Sequence, residues 1–153
     1  MSEKPEVLAC VLIPVVEGML LLPNVSIAEI VDFAEPEPSE DAPSWLFGHI
    51  VWRGIRLPVI SYDRANGGQE PPENPRKRIV VLNTIGKDHD KQPFLALVIQ
   101  DIPRQAKLNE ADLAPRDEQT GPADLMMVEL EGETVRIPNL EYLEQLAAEY
   151  AAA

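Results

Sequence analysis

The sequence predicts a mostly β protein, with two small barrels packed together and a single helix at the C-terminus. Three observations carry that expectation. Short apolar runs alternate with clusters of Pro, Gly and acidic residues, which is the spacing of hairpins. A Pro/Gly-rich stretch from Asn66 to Pro75 has the composition of a connector and separates two hairpin-rich halves. Only the last segment places apolar residues at helical intervals. The chain has 153 residues, 45% of them apolar and 5% aromatic. It can therefore fill a core, and that core must be aliphatic. A chain of this size buries roughly 70% of its unfolded surface.

The elements follow in order. Val7 to Val15 reads as a buried strand, Glu17-Gly18 as a turn and Met19 to Leu22 as the returning strand. Ile27 to Val31 fits either a strand or a short helical turn. Ala34 to Ser44, with three prolines and four acids, is an extended solvated loop. Phe47 to Trp52 and Leu57 to Tyr62 flank Arg53-Gly54-Ile55-Arg56 as a second hairpin. Arg78 to Asn83 and Phe94 to Ile102 make a third pair across a polar loop. Asn109 to Leu113 fits one helical turn capped by Asn109. Leu125 to Leu130 and Thr134 to Ile137 form a fourth hairpin around Glu131-Gly132-Glu133. The closing helix is capped by Asn139, with Leu140, Leu143, Leu146 and Ala147 as its buried stripe. The barrels are expected near 16–65 and 76–138, with the terminal segments completing one domain.

Charge and chemistry narrow the function. With 26 acidic against 13 basic residues the formal charge is −13. Nucleic acid and anionic membranes are polyanions that require clustered Lys and Arg, so neither is expected as a partner. The N-terminal apolar run is broken by Pro14, Glu17 and Gly18, too short to span a bilayer and without an obvious cleavage site, so a cytoplasmic protein is expected. Cys10 is the sole cysteine and lies in an apolar run with no base beside it, which describes an inert core thiol. His49 sits in a strand pattern as a surface or satisfied histidine. His89 sits in Lys87-Asp88-His89-Asp90-Lys91, a solvated loop whose adjacent residues chelate a metal poorly. No serine stands in a nucleophile elbow, and Asn66-Gly67-Gly68 lacks the Lys and helix start of a phosphate loop. No enzymatic activity, metal or cofactor is expected. The clustered aromatics Trp45, Trp52 and Tyr62 leave a Pro-rich-peptide module open as an alternative, although capping of a barrel core suits them better; a small hydrolase is the weaker alternative.

The segment Trp45 to Ile60 resembles the CheW family of bacterial chemosensory adaptors. That family carries a Gly shortly before Asn-Leu-Arg-Gly, followed by x-x-Leu-Pro-Val-Ile-Asp-Leu. Gly48, Arg53, Gly54, Leu57, Pro58, Val59 and Ile60 match, while Val51, Ser61 and Tyr62 replace Asn, Asp and Leu. Leu22-Pro23 with Ile27 to Val31 is similar to the family's Leu-Pro-Ile-x-x-Val-x-Glu-Val-Val segment, with Glu29 at the acidic position. Phe94 to Ile102 is similar to a Val-Gly-Leu-Val-Val-Asp-x-Val strand in which Gln100 replaces Asp. Ile137 to Leu143 resembles the closing strand-to-helix segment, and the Gly-rich strand before that hairpin is replaced by Leu125-Met126-Met127-Val128.

The resemblance implies a CheW-like fold of two packed five-stranded SH3-like β-barrels with a C-terminal helix, and no catalytic activity. It implies as partners the cytoplasmic tip of a chemoreceptor and the regulatory domain of a chemotaxis-type histidine kinase. Glu29 and Arg53 match positions that form a structural ion pair. If that pair is buried, losing one partner costs roughly 3–5 kcal/mol, and Arg53→Ala should unfold the domain. Ile27, Val31, Gly48, Leu95, Ala96 and Val98 match positions that line or support a receptor groove between the barrels, and ordinary strand core is the other reading of all six. Gly48→Asp should then abolish binding in a folded protein. The departures at Val51, Ser61 and Gln100, with the compact C-terminal half, suggest a divergent member, and the sequence as a whole resembles a ChpC-type accessory member of a pathway controlling pilus-driven surface motility.

Overall fold

The computed structural model describes residues 7–16, 18–68, 72–86, 93–115 and 120–151. Strands β1 (Val7–Val15) and β2 (Gly18–Pro23) form the first hairpin, and a 3-10 turn over Asn24–Ser26 leads to β3 (Ile27–Asp32). After the acidic loop come β4 (Leu46–Trp52), β5 (Ile55–Ile60) and the single-turn helix α1 (Tyr62–Ala65). Strands β6 (Arg78–Asn83), β7 (Phe94–Ile99), β8 (Arg104–Asn109) and the two-residue β9 (Ala114–Pro115) follow. The hairpin β10 (Asp124–Leu130) and β11 (Glu133–Pro138) precedes α2 (Leu140–Ala151). Asn139 caps α2 as expected, its Oδ1 accepting the Tyr142 N–H at 3.2 Å.

The strands fall into two sheets, a five-stranded one ordered β3-β6-β7-β5-β4 and a six-stranded one ordered β8-β1-β2-β11-β10-β9. Each contains one parallel pairing between strands distant in sequence, β5 with β7 and β2 with β11. The Pro/Gly connector therefore does not divide the sheets. β6 and β7, which follow it, complete the sheet begun by β3, β4 and β5. The N-terminal hairpin joins the C-terminal strands instead, so the strands do not partition as 16–65 and 76–138.

Strand alternation explains why the two sheets hold together. Val11, Ile13 and Val15 of β1 face a shared core with Leu20, Leu22, Val80, Leu82, Leu95, Leu97, Leu143 and Ala147, while Cys10 and Leu12 face the interior of their own barrel. The five-stranded sheet does the same, with Val80 and Leu82 in the shared core and Ile79 and Val81 in its own. Successive strand residues point to opposite faces, so a strand buried on both sides reads as a continuous apolar run. Burial raises the Cys10 thiol pKa, consistent with an unreactive core residue.

Two local expectations need correction and one strand was not foreseen. Tyr62 leaves the strand and opens α1, where the Ser61 hydroxyl accepts the Arg64 N–H at 3.2 Å as an N-cap. Arg104–Asn109 is a strand that polar composition concealed; it pairs with β1 as a sheet edge, where charged side chains protect the exposed ladder. The turn after it is a 3-10 segment closed by Asp112, whose Oδ2 accepts the Asn109 N–H at 2.8 Å. Asn109 is not its side-chain cap, since its Oδ1 has no hydrogen-bond partner among the described residues.

A buried polar latch ties α1 to the six-stranded barrel. The Asp124 side chain is fully enclosed and accepts from Tyr62 Oη, from Asn66 Nδ2 and Gly121 N–H at 2.9 Å, and from Arg136 at 2.6 Å. Burial opposes its ionisation. The hydrogen bonds from Tyr62, Asn66 and Gly121, and then the Arg136 charge, prevail and hold its carboxyl below the usual range. The Tyr62 phenol is pushed up by burial first and by its bond to Asp124 second.

Candidate functional site

Glu29 and Arg53 meet at 3.1 Å, and the geometry explains why. Glu29 lies in β3 and Arg53 directly follows β4, and these two strands are the edges of the five-stranded sheet. Glu29 Oε1 also accepts the Trp52 indole N–H at 2.8 Å, and the Arg53 guanidinium lies 4.8 Å from the Trp52 ring. One carboxyl group thus bridges the seam of the barrel. Arg53 and Gly54 both adopt left-handed φ, 49° and 78°, as a two-residue hairpin turn requires. The pair is not buried, however, because the Arg53 and Glu29 side chains are 67% and 39% exposed. An ion pair this open contributes about 0–1 kcal/mol, so the expected unfolding of Arg53→Ala is corrected to a small loss.

Gly48 is buried, with φ at +141°. A Cβ there would lie 2.6 Å from the carbonyl carbon of Glu37. The backbone that approaches Gly48 is thus the protein's own acidic loop. Glu37 and His49 exchange both main-chain hydrogen bonds at 2.8 and 2.9 Å, and Ser39 Oγ lies 3.1 Å from Nδ1 of the buried His49. This corrects the reading of Gly48→Asp, which would dislodge that loop before it touched any partner. Leu95 and Ala96, 1% and 0% exposed, are shared core and barrel core and line no groove among the described residues. Val98, 6% exposed, is mostly barrel core but reaches the wall of a small cleft beside Phe33, Phe47 and Lys77. Ile27 and Val31 are half-buried against the same clusters. A chain position shared with a groove strand does not expose a side chain whose two faces are both covered.

Nor do the aromatics form a peptide cleft. Tyr62 is in the shared core, and Trp52 packs edge-on against Phe94 with ring centroids 4.8 Å apart. His89 and its neighbours lie outside the described residues. Among the described residues no group of three or more His, Cys, Asp or Glu side chains is placed to hold a metal, and no helix is long and apolar enough to cross a membrane.

An apolar groove does open elsewhere, where the six-stranded barrel, the start of α2 and the end of β6 converge. It encloses about 430 Å³ and is walled by Leu22 and Pro23 of β2, Leu125 of β10, Pro138, Leu140 and Ile85. Ile85 and Leu125 are 66% and 62% exposed. Two large aliphatic side chains left in water around one concavity are the kind of exposed apolar surface that marks interaction sites. Sequence reasoning missed Ile85 because it stands alone among loop formers, in Thr84-Ile85-Gly86, and read Leu125 as an ordinary residue of its strand.

The family departures are structurally mild. Ser61 supplies the N-cap that an Asp would supply, Gln100 Oε1 accepts from Asn74 Nδ2 at 3.1 Å, and Val51 is exposed on an edge strand.

A sequence model of the CheW-like domain matches residues 9–147. The crystal structure of scaffolding protein TtCheW from Thermoanaerobacter tengcongensis is similar, with a TM-score of 0.73 over 90% of each chain at 17% sequence identity. At that identity the likeness shows a shared fold. No curated protein matches the sequence.

Proposed function

Because this chain belongs to the CheW-like domain family, we propose that it is a chemosensory adaptor that docks a chemoreceptor tip and couples it to the regulatory domain of a histidine kinase. The family is one of non-catalytic scaffolds, and the reading needs no reacting group. The observation that carries it is the apolar groove, open to solvent and walled by Ile85, Leu125, Pro23 and Pro138. An amphipathic receptor helix presents apolar residues at i, i+3, i+4 and i+7, and a groove of this composition receives such a face. Affinity then comes from covering Ile85 and Leu125, at about 25 cal/mol per Å² of apolar surface removed from water. The surplus of acidic side chains favours basic partner surfaces and speeds encounter with them. The departures from the family motif at Val51, Ser61 and Gln100 are compatible with a divergent accessory member, and pilus-driven surface motility is the output assigned to it in this proposal.

The test is a titration of the purified protein with the chemoreceptor cytoplasmic-tip fragment and, separately, with the kinase regulatory domain of the same host. Leu125→Asp should weaken receptor binding at least tenfold with an unchanged melting temperature, since Leu125 is mostly in water already. Receptor binding unaffected by Leu125→Asp would remove the groove from the account. Wild-type protein that binds neither partner would overturn the adaptor reading itself.

A further inference from the structure

Glu144 occupies a position on α2 that helix packing alone would assign to an apolar residue. It lies one turn after Leu140 and beside Leu143, and it is buried at 6% exposure. Its Oε1 accepts two backbone N–H groups from the segment after β6, those of Ile85 and of Gly86, the latter at 3.0 Å. Its Oε2 is buried with no hydrogen-bond partner among the described residues. A buried carboxyl oxygen left unsatisfied is unfavourable and calls for an explanation other than stability. Gly86 makes the clip possible, because a Cβ there would press to 3.2 Å from Oε2. What the clip holds is Ile85, one of the exposed walls of the apolar groove.

We infer that Glu144 is a positioning residue for the docking groove. It spends stability of α2 to hold Ile85 at a set place in the groove that it lines with Leu125 and Leu140, so that the groove meets its partner already shaped. This rests on the adaptor reading for its function but not for its geometry. The two N–H groups it satisfies belong to Ile85, which is exposed, and Gly86, which is half-exposed, so water can replace the carboxyl there. Filling the site with a leucine therefore removes a buried polar group without stranding another. A residue kept for stability would behave in the opposite way.

The experiment compares wild type with Glu144→Leu and Glu144→Gln in the full chain. Glu144→Leu should melt at or above the wild-type temperature yet bind the receptor-tip fragment at least tenfold more weakly. Glu144→Gln, which keeps a carbonyl acceptor for both amides, should retain binding to within about threefold. In parallel, methyl NMR should show the cross-peaks from Ile85 to Leu125 or Leu140 lost in Glu144→Leu, kept in Glu144→Gln, and the Leu143 and Leu97 methyls unmoved in both. A Glu144→Leu protein that is destabilised in step with its weaker binding, or that keeps the Ile85 cross-peaks, overturns the inference. If wild type fails to bind the receptor fragment, the adaptor reading falls, and the methyl cross-peaks still decide whether Glu144 positions Ile85.

Discussion

Replacing Asp124 by alanine removes the acceptor of four donors at once: Tyr62 Oη, Asn66 Nδ2, the Gly121 N–H and the Arg136 guanidinium. The Asp124 side chain is 0% and that of Arg136 only 18% exposed, so water cannot readily take the lost place. Breaking a buried pair in this way costs about 3–5 kcal/mol, which in a domain of this size lowers the melting temperature by roughly 6–20 °C. Asparagine separates the charge from the hydrogen bonds. Its carbonyl can face Asn66, Gly121 and Arg136 while its amide donates to Tyr62 Oη, whose proton turns to the Ala123 carbonyl at 3.2 Å. Only charge assistance is lost, a difference of about 1–2 kcal/mol. Urea unfolding followed by the fluorescence of Trp45 and Trp52 gives both values, provided the slope with urea is unchanged. A loss below about 1 kcal/mol for Asp124→Ala, or equal losses for both variants, would refute the latch. The pH dependence follows from the same site. The folded carboxyl titrates below its unfolded value of about 3.9, so its contribution is fully present above that value. It disappears as pH falls through the lower folded value, because the unfolded chain binds the proton first. Wild type should therefore lose stability below about pH 4 more steeply than Asp124→Asn, which has no such proton to bind.

Two further outcomes follow from the seam and the loop. Gly48→Ala places a Cβ against the Glu37 backbone at a φ of +141°, which should cost about 2–3 kcal/mol and speed amide exchange at Glu37 and His49. Arg53→Ala should stay folded and lose no more than about 1 kcal/mol, readable as a melting shift of a few degrees, whereas Trp52→Leu, which removes the indole donor to Glu29 and the ring against Phe94, should lose more.

Much of the fold was legible residue by residue. The hairpins at Gly54 and Gly132 follow from turn chemistry and flanking apolar runs, and the α2 cap at Asn139 from the polar residue before a helical stripe. β8 was not legible, because an edge strand with one wet face spells Arg-Gln-Ala-Lys-Leu-Asn and its pairing partner, β1, lies at the other end of the chain. The candidate site was least legible of all. The motif residues Gly48 and Arg53 were visible and prove to shape the five-stranded barrel, whereas the groove is assembled from the ends of elements far apart in the chain, which no local pattern marks as one surface.

By itself the sequence determined most of the hairpins and the closing helix, the aliphatic core, the turns and the CheW-like motif. These depend on the period of apolar residues and on backbone preferences within a few positions of one another. Only the tertiary structure decided that β2 pairs with β11 and β5 with β7, that Asp124 and Glu144 are buried while Glu29 and Arg53 are not, and that Ile85 and Leu125 line one groove. Burial and parallel pairing are properties of surfaces brought together from distant parts of the chain. Their free energy comes from apolar area covered on both partners, a quantity that no single segment contains.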